Sequence, residues 1–79
     1  RFMKDAHIEI VYIHKKAKDI ERLLRIEEDS SPFYKTKSTI KTNGDVLKIT
    51  IDSEDIPSIR GSFNTYMNWL MAIEQGMKL

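Results

Sequence analysis

The chain has no cysteine in its 79 residues. No disulfide can stiffen it and no zinc–thiolate cluster can form. A chain this short buries only about 60% of its unfolded surface, so its stability is marginal and oligomerisation is the remaining staple. Cysteine-free composition suits a reducing compartment, and a cytoplasmic setting is expected. Net charge of one sign is also lacking: 13 basic residues face 12 acidic ones, for a formal charge of +1. No global field draws the chain toward nucleic acid or membrane. No apolar run is long enough to span a bilayer, because Ser58, Arg60, Ser62, Asn64 and Asn68 interrupt the longest. The three glycines, Gly44, Gly61 and Gly76, are too scattered for a phosphate-binding loop. Arg1 and Phe2 precede Met3 and read as residues added ahead of the natural start, leaving one domain over 3–79.

Chemistry is scarce as well. His7 and His14 are the only histidines. Their odd separation along a strand puts them on opposite faces, so shared metal ligation is not expected. The clusters Glu27-Glu28-Asp29 and Asp52-Glu54-Asp55 lie at element ends, where solvated caps are the default. Catalytic carboxylates need an apolar pocket to raise one pKa. No catalytic residue, metal or cofactor is assigned.

What is present is pattern. Ala6, Ile8, Ile10 and Tyr12 alternate with His7, Glu9, Val11 and Ile13, predicting a strand over 5–13. Ala17, Ile20, Leu23, Leu24 and Ile26 form an apolar stripe among charges, predicting a helix over 15–28. That helix ends in acids, against its dipole. Asp29-Ser30-Ser31-Pro32 reads as a loop. Two strands then flank Asn43-Gly44, a dipeptide suited to a type I′ hairpin turn. Facing Thr42 with Asp45 sets Ile40 opposite Leu47, Ser38 opposite Ile49 and Thr36 opposite Ile51. The other face then carries Lys35, Lys37, Lys41 and Lys48. A one-residue slip would destroy this sorting.

Asp55 is the expected N-cap of a last helix reaching about Gly76, with Pro57 tolerated in its first turn. The order strand, helix, strand, strand, helix predicts an α+β domain of two layers, with both helices on one face of a three-stranded antiparallel sheet. Three strands leave two open edges. Pairing one edge with a second copy would enlarge the core, so a homodimer is expected.

The last helix is charge-poor. Ile56, Ile59, Phe63, Tyr66, Leu70, Ile73 and Met77 form the stripe for its own sheet. Arg60, Asn64, Met67, Asn68 and Met71 form a candidate face for another protein, and Trp69 fits either. Small Gly61 and Ser62 would admit a foreign helix. Met adapts readily and Trp is favoured at interfaces. The lysine strip has two readings: a solvated, aggregation-resistant sheet face, or a phosphate-contacting surface of an autonomous RNA-binding module. No aromatic side chain sits among those lysines, since Phe33 and Tyr34 only precede them, so base stacking is not supported.

The segment from Asp55 to Leu70 resembles the C-terminal helix of the small dimerisation subunit of the KEOPS complex, a family that includes the LAGE cancer-testis antigens. Asp55, Ile59, Arg60, Gly61, Asn64, Thr65, Trp69 and Leu70 match its pattern. Asn68 departs from it, because a basic residue is expected there. Element order and length agree over nearly the whole chain. The resemblance implies a non-catalytic homodimer with its sheet continued across the dimer. It also implies docking of the helices on the KEOPS threonylcarbamoyltransferase subunit, in support of threonylcarbamoyladenosine modification of tRNA. Contact with tRNA as part of the complex comes from the resemblance alone.

Overall fold

A computed structural model describes residues 4–30 and 35–77. Five elements follow in the expected order: β1 (Ala6–Ile13), α1 (Ala17–Ser30), β2 (Thr36–Asn43), β3 (Val46–Ser53) and α2 (Ile56–Met77). The strands form one antiparallel sheet in the order β1-β3-β2. β3 is central, and β1 and β2 are the edges. The fold is α+β with both helices on one sheet face. The expected start at Met3 and the loop residues Ser31 and Pro32, with Phe33 and Tyr34, lie outside the described residues.

Alternation sorts the sheet. Four rows cross its inner face: Ala6–Ser53–Thr36, Ile8–Ile51–Ser38, Ile10–Ile49–Ile40 and Tyr12–Leu47–Thr42. Ile40, Leu47, Ile49 and Ile51 are fully buried there against Ala17, Ile20 and Leu24 of α1 and Ile59, Tyr66 and Leu70 of α2. The outer face carries the rows His7–Asp52–Lys37, Glu9–Thr50–Thr39 and Val11–Lys48–Lys41.

The hairpin register differs from the sequence expectation by two residues. Thr42 faces Leu47, Ile40 faces Ile49, and Ser38 faces Ile51. A shift of two keeps every side chain on its face, so alternation alone could not choose between the registers. The turn residues are Gly44 and Asp45. Only Gly44 takes positive φ, at 61°, the pattern of a type II′ turn with glycine first. Lys35 also moves: it precedes β2 in the left-handed region at φ 61°, outside the hairpin face. Its carbonyl accepts from Ser53 Oγ at 3.0 Å and from the Glu54 N–H at 3.0 Å.

The ends of α2 and the turn before α1 follow from side-chain chemistry. Asp55 Oδ1 accepts the Ser58 N–H at 2.8 Å, as an N-cap should. The Ser58 side chain first, and then its N–H, hold the Asp55 carboxyl below its usual range, helped by Lys35 at 3.7 Å. His14 closes the β1–α1 turn by accepting the Lys16 N–H at Nδ1, 2.9 Å away.

The acidic end of α1 has a tertiary explanation. Glu28 accepts from Ser38 Oγ at 2.8 Å and from the buried Tyr66 hydroxyl at 2.5 Å. Burial first, and then Glu28, push the Tyr66 pKa up. The carboxylate thus ties α1 to β2 and α2, which offsets its unfavourable place on the helix dipole.

Three expected core positions are corrected. Leu23 and Ile26 are exposed, because Ala17, Ile20 and Leu24 define the inward face of α1 and the other two lie off it. Ile56 is exposed at 67%, because it sits at the mouth of the helix–sheet layer. Ser62 is buried and its Oγ donates to Thr36 Oγ1 at 3.3 Å. It packs on β2 and does not face outward to admit a foreign helix.

Candidate functional site: an open sheet edge and the helices above it

Hydrogen-bond parity shows what each edge offers. The His14 N–H donates to the Asp45 carbonyl at 2.8 Å, continuing the β1–β3 register. Bonded and non-bonded pairs alternate in an antiparallel ladder. The even-numbered residues of β1 therefore bond β3, and the backbone groups of His7, Glu9, Val11 and Ile13 point off the edge. On β2 the Glu54 N–H donates to the Lys35 carbonyl. The odd-numbered residues there bond β3, and those of Ser38, Ile40 and Thr42 point outward.

The two edges are treated differently. On β2, Arg25 of α1 donates to the outward Ile40 carbonyl at 2.5 Å. Glu21, paired with Arg25 at 2.7 Å, accepts from Thr42 Oγ1 at 2.7 Å. Those two bonds hold the Glu21 carboxyl below its usual range, Thr42 contributing most. With Glu28 on Ser38, a row of α1 side chains laces over this edge. On β1, no helix side chain among the described residues takes an outward backbone group. Beside it lies a groove of ≈ 490 Å³ lined by Ala6, His7, Ile8, Ile56, Ile59, Arg60 and Phe63.

The groove continues along one flank of α2. At 3.6 residues per turn, Ile56, Phe63, Met67 and Glu74 share that flank, with Arg60 and Met71 just beside it. The C-terminal end of the flank is pinned to β1, where Tyr12 donates to Glu74 Oε2 at 2.5 Å. This bond and burial push the Tyr12 pKa up to about 12. Met67 and Met71 are exposed beyond it.

All six residues expected at a partner face lie on α2. Arg60, Asn64, Met67, Asn68 and Met71 are exposed, and Trp69 is half-buried. Trp69 packs against the core and meets Tyr66 edge-on at 5.2 Å between centroids. At about 100° per residue, Met67, Arg60, Met71, Asn64 and Asn68 follow one another around α2 from the β1 flank, and Trp69 lies about 100° beyond Asn68, against Tyr66. Sequence reasoning missed Leu23 and Ile26, two exposed apolar residues on α1. Their signal was present: both fall off the stripe that Ala17, Ile20 and Leu24 set.

Lys37, Lys41 and Lys48 share the outer sheet face, and Lys35 does not. Lys35 pairs with Asp55 at 3.7 Å and Lys48 with Glu9 at 3.3 Å. Lys41 stands directly opposite Lys48. Glu9 and Asp52 lie on the same face, so the strip is charge-mixed. His7 sits between them, 2.5 Å from Asp52 and 3.1 Å from Glu9. Asp52 most, then Glu9, raises the His7 pKa, and His7 in turn lowers both carboxyls. Among the described residues no group of three or more His, Cys, Asp and Glu could hold a metal ion. No helix among them is long and apolar enough to cross a membrane.

No curated protein matches the chain. A family model described as "Transcription factor Pcc1" matches residues 6–78, from the first residue of β1 to beyond the last of α2. Among the described residues, then, the β1 edge stands open beside an apolar groove, and apolar side chains are exposed on both helices. With that match over almost its whole length, the chain belongs to the Pcc1 family, the KEOPS complex subunit family with a role in tRNA modification.

Proposed function

We propose that this chain is a non-catalytic, cytoplasmic adaptor of the KEOPS complex. It acts as a homodimer joined through the β1 edge. Its helices dock the threonylcarbamoyltransferase subunit, and the assembly supports threonylcarbamoyladenosine modification of tRNA. The observation that carries this reading is the contrast between the laced β2 edge and the open β1 edge with its apolar groove. Unpaired edges invite another strand unless they are blunted. Arg60, Met67 and Met71 flank the groove and serve the second copy. Asn64, Asn68 and Trp69, with Leu23 and Ile26, serve the transferase subunit across the outer surface of the helix layer.

Co-purification with the transferase subunit tests the division of labour. The double variant Leu23→Glu, Ile26→Glu should lower capture at least about tenfold, because burying two new charges is costly. Its homodimer should persist in sedimentation. Undiminished capture by that variant would remove the helix layer from the docking surface.

A further inference from the structure

Pairing β1 with a second copy is restricted by the sheet itself. Residues directly opposite one another point to the same face, so His7, Glu9, Val11 and Ile13 must meet the same set in the other copy. A two-fold axis then falls beside a residue of β1: Glu9 and Ile10 keep most of the strand paired, Ile8 and Val11 keep a shorter stretch, and an axis at Val11 sets Glu9 opposite Ile13 and leaves His7 outside the paired stretch. At Glu9, two carboxylates face each other, which is destabilising. At Ile10, Glu9 lies opposite Val11 and His7 opposite Ile13, so neither charged group finds a partner. At Ile8, His7 lies opposite Glu9 of the second copy, twice by symmetry.

The groove favours the same axis. It opens at Ala6, His7 and Ile8, about one residue from an axis at Ile8 and about three from one at Ile10. With a rise of about 3.3 Å per residue, the two grooves lie roughly 7 Å apart along the strands in the first case and roughly 20 Å in the second. Only the first lets Ile56 and Phe63 of each copy close over the other.

We propose that a second copy pairs antiparallel along β1 about an axis beside Ile8, so that His7 of each copy meets Glu9 of the other and protonation of His7 tightens the assembly. This rests on the homodimer reading above and adds its register and its response to pH. The groups around His7 favour the charged ring. Glu9 comes from its own strand and Asp52 from β3. The cations are Lys4, 3.5 Å from Asp52, and Lys48, 3.3 Å from Glu9. Lys37 of β2 lies opposite Asp52, and Arg60 of α2 lines the same groove. His7 is already raised within one copy. A further carboxylate raises it again on association, so affinity is highest with His7 protonated and falls as pH rises through its titration.

Single-cysteine variants read the register. The chain has no cysteine, so each variant can bridge only to its own symmetry mate. Non-bonded antiparallel pairs lie about 4.5 Å apart at Cα, within disulfide range. In a thiol–disulfide buffer Ile8→Cys should form the covalent dimer about tenfold faster than Ile10→Cys or Glu9→Cys. Faster bridging by either of the others overturns the register. Sedimentation equilibrium of the parent reads the proton coupling without those variants. Its dimer dissociation constant should rise about two- to thirtyfold from pH 6 to pH 8.5, the range for two cross-strand charge pairs. His7→Gln should be flat over that range. A parent dimer indifferent to pH, or His7→Gln keeping the dependence, overturns the coupling and leaves the homodimer standing. A monomer at every pH overturns both.

Discussion

The two edges of this sheet have the same length and opposite treatment. β2 is laced by Glu21, Arg25 and Glu28 of α1, with Arg25 taking an outward carbonyl for itself. Among the described residues, β1 has one side-chain bond to a helix, Tyr12–Glu74 at its far end, and an apolar groove at its near end. A small domain without disulfides must blunt its edges or use them. This one blunts β2. The proposed homodimer uses β1 and leaves β2 to the stability of the single copy.

The largest effect is expected from breaking β1. Glu9→Pro removes an N–H that points off the edge, a position where proline is tolerated within the sheet. The single copy should stay folded by circular dichroism, while dimer affinity falls about a hundredfold, with two ladder bonds lost near the axis. Next comes the helix flank above it. Met67→Glu puts a charge where an apolar surface is covered, and about a tenfold loss of dimer affinity is expected in sedimentation. Folding should be unaffected, because Met67 is exposed in one copy.

Changes at β2 should do the reverse. Tyr66→Phe removes the hydroxyl between Glu28 and Ser38 but leaves those two bonded to each other. A cost of about 1 kcal/mol in thermal unfolding is expected, with no change in dimer affinity. Arg25→Ala uncovers the Ile40 carbonyl at a half-exposed site, so water replaces part of what is lost. It should cost less than about 1 kcal/mol, again with the dimer intact. A change in dimer affinity from either variant would blur the assignment of the edges.

The smallest effect concerns pH within one copy. The raised His7 contributes stability that is fully present below its ordinary value of 6.5 and is lost as pH rises through the folded value. The lowered Glu9 and Asp52 contribute stability that is present above their ordinary values, 4.5 and 3.8, and lost as pH falls through the folded values. The cluster therefore helps most between pH 4.5 and 6.5. Thermal melts of parent and His7→Gln should differ most in that window and converge above and below it.

Much of this contrast was beyond the reach of periodicity. Alternation along β1, β2 and β3 assigned the faces, the polar residue before Ile56 marked the N-cap, and the two helical stripes located most of the core. Alternation repeats every two residues, so it could not separate the Thr42–Asp45 register from the Thr42–Leu47 one. A glycine suits more than one hairpin turn, and Gly44 took the first place of Gly44–Asp45 instead of the second of Asn43–Gly44. Glu28 looked misplaced at the end of α1 because its partners, Ser38 and Tyr66, are distant in sequence. Arg25 carried no sign that it would reach Ile40. Which edge is closed depends on those long-range contacts, so the contrast between the edges became legible only once the helices were set on the sheet.

Amide hydrogen exchange along β1 tests the assignment of the edges most directly. The N–H groups of His7, Glu9 and Val11 point away from β3, so in a single copy they meet water. At concentrations that favour the dimer, His7 and Glu9 should be protected nearly as well as Ile8 and Ile10, and the protection should fade on dilution. Fast exchange at His7 and Glu9 at every concentration, with the outward amides of β2 slowing instead, would contradict the account.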